Sequence, residues 1–279
     1  MSKLGIIAGL GSLPVSIAQA ARESGRPVYV MRLAGFEEPA LLEFPGETIG
    51  IGQLGRIAKR LKEEKCEELV LAGIVKRPNF SSIKLDLRGA SLLPKVVSAA
   101  RKGDDALLRV ILDYFEKQGF RVVGAEEAAS DLKMTMGLVA GPAPDETQLL
   151  DMRKAAHIAS EIGRLDIGQG CVVVDGLVLA VEAQEGTDGM LARLNDLDPA
   201  IKGTAANRKG VLVKRPKPIQ ERRIDLPTIG PATIRSVAAA GLAGIGLEES
   251  GALLVGRDKI EALCAEHGVF VYGFPAGWD

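Results

Sequence analysis

From Leu4 to about Val123 the chain alternates short apolar runs with helical ones: LGIIAG, PVSIAQAARESG, PVYVM, QLGRIAKRLKEEK, ELVLAG, and later ALLRVILDYFEKQG before FRVVG. That alternation predicts a parallel sheet flanked by helices, because parallel strands need a crossover and the crossover is usually a helix. Such sheets gather their ligands at the carboxyl ends of the strands. The loops after Ala8 and Gly73 are therefore the first places to look for a site.

The second half has a different rhythm. A stretch of low periodicity, MTMGLVAGPAP at 134–144, precedes a polar-started helix at DETQLLDMRKAAHIASEIG. At 279 residues two domains of ordinary size are the better expectation. The chain is accordingly read as α/β: a Rossmann-like parallel-sheet domain at 1–133, a linker at 134–144, and a mixed α+β domain at 145–279. In CVVVDGLVLAVEA, Asp175-Gly176 between two apolar runs signals a tight hairpin. GVLVK, GALLVG and GVFVYG supply further strand candidates, and no internal repeat is visible. Two domains of different rhythm imply a cleft between them, a common place for a ligand.

Composition removes several function classes. Lys plus Arg (35) nearly balance Asp plus Glu (36), which argues against a chain built to neutralise a nucleic-acid backbone. Cys66, Cys171 and Cys264 are isolated and odd in number, suggesting neither a disulfide framework nor a thiolate metal site, and fitting a reducing cytoplasm. His157 and His267 stand alone, so any metal should be held by oxygen. Leu4 to Ala21 follows Lys3, is free of charge and contains Ala18-Gln19-Ala20, which imitates a signal peptide; Gly9, Gly11, Ser12 and Pro14 break the run, and it reads instead as strand, turn and helix. The other apolar stretches are too short to cross a bilayer.

Several segments could carry chemistry. Gly9-Leu10-Gly11-Ser12-Leu13-Pro14 joins the first strand to the first helix, where backbone amides can approach a phosphate. It departs from the dinucleotide fingerprint, since Pro14 replaces the third glycine and Met31-Arg32-Leu33 stands where an acidic residue would end the second strand. The alternative is a tight turn with Ser12 as helix cap. Lys76-Arg77-Pro78 puts a basic pair directly after ELVLAGI, positioned for phosphate or simply solvated. Asp104 and Asp105 precede another helix and serve equally well as a cap or a ligand contact.

Acidic groups cluster later. VEAQEGTD places Glu182, Glu185 and Asp188 around a glycine at the end of an apolar strand, with Thr187 among them. Magnesium prefers hard oxygen ligands and takes one or two carboxylates plus substrate phosphate, a demand Asp188 with Glu182 or Glu185 could meet; the structural reading makes Thr187 or Asp188 a helix cap. GVLVKRPKP ends a strand in Lys214 ahead of a proline-rich loop, which fixes a cation near an anionic substrate. Asp225, between Ile224 and Leu226 before a proline, is expected to be partly buried, so that it needs a cation or strong hydrogen bonds; pairing with Arg222 or Arg223 is the alternative.

Taken in order, GLGSLP, the Lys76-Arg77-Pro78 loop, RKGDDALLR, VEAQEGTDGM, GVLVK and DLPTIGPATI resemble the motif set of the LpxI-type UDP-2,3-diacylglucosamine pyrophosphatases of lipid A biosynthesis, over nearly the whole chain. Gln184 inside VEAQEGTD and Ile219-Gln220-Glu221 after Lys217-Pro218 depart mildly from that pattern. The resemblance implies Mg²⁺-dependent hydrolysis to UMP and 2,3-diacylglucosamine 1-phosphate, with water directed at the phosphorus on the sugar side. The residues themselves supply a compatible mechanism, with Asp225, Asp188 and Lys214 as catalytic residues and Asp188, Asp225 and Glu182 as metal ligands. Substrate contacts fall to Gly9, Gly11, Ser12, Leu13, Lys76, Arg77, Asp104 and Thr187. A diacylated substrate further implies a cytoplasmic enzyme in transient contact with the inner membrane. The competing readings are a nucleotide-sugar or NAD(P)-dependent oxidoreductase, and a non-enzymatic module that sequesters a phosphorylated lipid or sugar.

Overall fold

The alternation of the first half becomes a parallel sheet in the computed structural model, which describes residues 2–76, 83–101, 103–219, 221, 223 and 226–278 and divides into two compact units, Met1–Asp131 and Leu132–Asp279. The first unit runs β1 (Lys3–Ala8), α1 (Ser12–Glu23), β2 (Val28–Leu33), β3 (Gly46–Ile49), α2 (Leu54–Glu63), β4 (Cys66–Ala72), α3 (Leu87–Ala100), α4 (Asp104–Lys117), β5 (Arg121–Val122) and α5 (Ala125–Ala128). Its strands lie in the order β3-β2-β1-β4-β5, each pairing parallel. Leu4, Ile6, Val30, Met31, Leu69 and Val70 are buried, as the near-continuous apolar runs of covered parallel strands require. The order reverses direction between β1 and β4, and this is the switch point at which open α/β sheets bind ligands. Strand β3 escapes a sequence reading because GETI is four residues long and buries only Ile49.

Asp86 organises the helices that follow. Its carboxylate accepts from the Gly89 amide at 2.7 Å and from the Arg56 amide at 2.8 Å, so one acid serves the first turns of both α3 and α2.

The second unit contains β6 (Gly137–Ala140), α6 (Glu146–Arg164), β7 (Gly170–Val174), β8 (Leu177–Val181), α7 (Gly186–Leu194), α8 (Pro199–Lys202), β9 (Val211–Lys214), β10 (Thr228–Ile229), α9 (Pro231–Ala239), β11 (Gly244–Glu248), β12 (Leu253–Leu254), α10 (Arg257–His267) and β13 (Phe270–Phe274). A six-stranded mixed sheet runs β6-β13-β11-β9-β7-β8, with β9, β11 and β13 parallel. One face buries Val172, Leu212, Ile245 and Leu247 with Met190, Ile234 and Ile260 of α7, α9 and α10. The other buries Val173, Val213 and Phe270 against Met152, Ala155, Ala156 and Ala159, a helical stripe on α6. The start of α6 is a capping box, in which Asp145 and Gln148 each bond the other's amide at 2.8 and 3.0 Å.

Three features differ from the sequence reading. Residues 137–140, placed in a linker, are the edge strand β6, antiparallel to β13; only Ala140 is buried, so no apolar period betrays it. GALLVG supplies β12, which pairs with β10 and not with the main sheet. Strand β11 was hidden in an Ala/Gly-rich stretch, because Gly244 and Gly246 carry no side chain. A β carbon there would meet Phe270 at 2.3 Å or Met152 at 2.6 Å, so tight packing removes the periodic signal.

The Asp175-Gly176 turn does join β7 to β8, with φ of 48° and 77°, the left-handed pair of a two-residue hairpin. Asp151 of α6, 2% exposed, accepts from both turn amides at 2.9 and 2.7 Å. Burial raises the Asp151 carboxyl above its ordinary range, and the two amide bonds pull it back. Asp151→Ala orphans both amides and is expected to destabilise the protein by about 2 kcal/mol in urea unfolding. A loss within error of zero would show that water replaces the carboxylate at no cost.

Candidate active site

The hairpin β7–β8 brings Glu182 to the carboxyl end of the parallel strands. The Glu182 amide donates to the Gly170 carbonyl at 2.8 Å. Glycine is needed on that side: a β carbon at Gly168 would lie 2.0 Å from the Glu182 carbonyl, and one at Gly170 would lie 2.7 Å from its Oε2. Lys214, the last residue of β9, is the register partner of Gly170. Side chains alternate along a strand, so Lys214 emerges on the Glu182 side.

There the lysine Nζ lies 3.8 Å from Glu182 Oε1 and donates to Thr187 Oγ1 at 2.5 Å, while that hydroxyl donates to Glu182 Oε1 at 2.8 Å. Glu182 and Lys214 are 5% and 6% exposed. The other carboxylate oxygen, Oε2, is buried and has no donor among the described residues. Leaving such an acceptor unmet costs about 1–3 kcal/mol, so the fold maintains here a polar group that stability alone would not select.

Thr187 and Asp188 both lie in the first turn of α7, and neither caps it; Glu185 holds the cap position without a side-chain bond and pairs with Arg193. The Thr187 hydroxyl is thereby left to Glu182 and Lys214. Asp188 is exposed and adjacent in sequence to that hydroxyl, and its side chain makes no hydrogen bond among the described residues. Asp225 and Arg222 lie outside the described residues, and Arg223 pairs with Glu221 at 2.9 Å. Arg215, one residue past Lys214, emerges on the opposite face and meets buried Glu248 at 3.0 Å while donating to the Ala156 carbonyl at 3.3 Å. Sequence reasoning missed Glu248, which ends the unrecognised strand β11.

In the first unit the glycine turn sits at the switch point. Leu10 and Ile74 exchange backbone bonds of 3.0 and 2.8 Å, locking the loop after β1 to the loop after β4. Gly9 has no room for a side chain, since a β carbon would lie 2.6 Å from the Ile74 carbonyl. Gly11, with φ of 100°, is the cap residue of α1, and Ser12 and Leu13 open the helix. The Gly11 amide donates to Glu38 Oε2 at 3.0 Å, a partner no motif announced. Lys76 is exposed two residues beyond Ile74, and Arg77 lies outside the described residues. Asp104 begins α4 directly after Gly103, whose φ is 128°.

The cysteines are inert, with burial pushing Cys66 and Cys264 up to about 11 and Cys171 up to about 12. Oxygen remains the ligand chemistry available. Glu182 Oε2, buried and without a donor, suits one position on a hard cation. Among the described residues no three Asp, Glu, His or Cys side chains converge, so a magnesium ion here would take one or two carboxylates and complete its shell with substrate and water oxygens.

A fold of this kind with a buried acid, hydroxyl and cation at the carboxyl ends of its strands defines a two-unit α/β protein with a polar site in its second unit. The chain belongs to the LpxI family: residues 3–132 match the LpxI N-terminal domain and residues 135–272 the LpxI C-terminal domain. A relative from Caulobacter vibrioides, named UDP-2,3-diacylglucosamine pyrophosphatase LpxI, is 52% identical over 273 residues, 98% of each chain. Among solved structures, CobK precorrin-6A reductase has 9% identity and a TM-score of 0.33 over 99% of this chain and 88% of its own. A putative NAD-dependent epimerase/dehydratase from Methylobacillus flagellatus has 16% identity and a TM-score of 0.26 over 52% and 45%. At those scores neither likeness bears on this chain's chemistry.

Lys214→Met strands the Glu182 carboxylate in a buried setting and is expected to destabilise the second unit by about 3 kcal/mol. Adding Glu182→Leu is expected to recover part of that loss. Additive effects of the two changes in urea unfolding would mean that the pair is not coupled.

Proposed function

We propose that this chain hydrolyses the diphosphate of UDP-2,3-diacylglucosamine, releasing UMP and 2,3-diacylglucosamine 1-phosphate, in the cytoplasm and as a step of lipid A biosynthesis. Family membership supports the substrate, and the Lys214–Thr187–Glu182 triangle is the observation that carries the chemistry. A desolvated ammonium attracts phosphoryl oxygens far more strongly than one in water, because less solvent competes for it. Thr187 fixes the direction of that ammonium. Asp188, Glu182 and Asp225 would hold Mg²⁺, which supplies charge neutralisation and a more acidic bound water when present. Asp225 orients the attacking water, and Lys214 stabilises charge on the diphosphate. Backbone amides of Gly9, Gly11, Ser12 and Leu13, with Lys76, Arg77 and Asp104, contact substrate, and among the described residues no helix is long and apolar enough to cross a membrane.

Incubation of purified protein with the acylated UDP-sugar is expected to release UMP with Mg²⁺ and not with EDTA. Failure to form UMP under both conditions, together with NAD(P) binding in a fluorescence titration, would favour the oxidoreductase reading; saturable binding of the sugar nucleotide without turnover would favour a sequestering module. In ¹⁸O water the label is expected in the acylated sugar phosphate, and label in UMP would reverse the assigned point of attack. Lys214→Met is expected to lower kcat by about 10²- to 10³-fold, the loss typical of removing one preorganised stabilising group. Asp225→Ala is expected to abolish turnover while retaining substrate affinity.

A further inference from the structure

We infer that the outward side of α3, with the adjoining flank of α2, is a docking surface for an anionic lipid bilayer; this rests on the proposal that the substrate is a diacylated lipid. Leu87, the first residue of α3, is 91% exposed, an unusual setting for a leucine in a helix. Arg88, Lys95 and the cap residue Arg101 are also exposed, and none has an ion-pair partner among the described residues. No Asp or Glu occurs between Leu87 and Arg101. The other exposed positions of α3 are Ala90, Ser91, Pro94 and Ser98, so among the described residues of this helix no other bulky side chain and no acidic one stands out from its outer face.

An ordinary solvated helix mixes charges of both signs and keeps large apolar side chains off its outer face. The neighbouring α4 does so, pairing Asp105 with Arg109. On α2, exposed Lys59 and Lys62 join Arg88 around a depression of about 370 Å³ floored in part by Tyr114. The acid lining it, Glu63, lies 3.8 Å from Lys59 and 3.4 Å from Arg60 and is already engaged. The cations complement lipid phosphates, and Leu87 supplies an apolar residue to enter the headgroup layer. A nucleic acid would also attract the cations, yet it gives exposed Leu87 no favourable place.

The test is cosedimentation of the full chain with vesicles of phosphatidylcholine alone or mixed with phosphatidylglycerol, at low and high salt. Binding to the anionic vesicles is expected to exceed binding to the neutral ones and to fall with salt. Arg88→Glu/Lys95→Glu/Arg101→Glu is expected to lower anionic binding by more than about 100-fold, at roughly fivefold or more per cation. Leu87→Ser, which leaves every charge in place, is expected to lower it severalfold. UMP release from substrate in detergent micelles reads the hydrolase proposal alone and is expected to be unchanged in both variants. Equal binding to both vesicle types, or wild-type binding by the variants, would overturn the assignment. So would tight binding of a single-stranded oligonucleotide by a chain that ignores both vesicles.

Discussion

The structure of the second unit depends on how it keeps a carboxylate and an ammonium out of water. Taking two ions into a protein interior costs several kcal/mol for each, and their mutual attraction returns that only with good geometry and further hydrogen bonds. At 3.8 Å the contact between Glu182 and Lys214 is too long to do so directly, and the Thr187 hydroxyl closes the gap by accepting from one and donating to the other. Even so, Glu182 Oε2 stays without a donor among the described residues. A core selected for stability alone would place apolar groups here, and strained or unsatisfied sites are where proteins keep chemistry.

Backbone geometry explains why the triangle can exist. Glu182 is pressed against Gly168 and Gly170, and a methyl group at either position would displace it. The two-residue turn at Asp175-Gly176 sets the β7–β8 register that brings Glu182 alongside Gly170, the pairing of β7 with β9 sets Lys214 opposite Gly170, and Asp151 holds the turn from α6. On the other face, Arg215 is anchored by Glu248, so consecutive basic residues at the end of β9 are fixed in opposite directions. The chain then leaves β9 through Pro216 and Pro218, whose φ is restricted.

Much of this was legible because the signals were local. Alternating apolar and helical runs announced the parallel sheet, Asp175-Gly176 announced the hairpin, and the polar start of α6 stood in plain view. Glu182, Thr187 and Lys214 were named from a crowd of polar residues at strand ends, and the structure brings these three together. What stayed hidden was encoded by contact at a distance. Glu38 reaches the Gly11 amide from 27 residues away, Asp86 caps a helix that begins before it, and Glu248 lies on a strand whose glycines erase its pattern. In each case a partner remote in sequence determines the role, and no window of neighbouring residues contains it.

The choice of oxygen chemistry over sulfur or imidazole follows from the same interior. Burial holds all three thiols protonated, which removes them as nucleophiles and as ligands at neutral pH. His157 is exposed on α6, and His267 closes α10. Among the described residues, the groups at the carboxyl ends of β9 and β11 are the carboxylates of Glu182 and Glu248, a hydroxyl, an ammonium and a guanidinium. Such a set cannot transfer electrons, and among the described residues it offers soft metals no ligand. It can neutralise, orient and polarise an anion, which is what cleavage of a phosphoric anhydride demands of a protein, since the bond is already unstable toward water and the barrier is mainly one of charge and position.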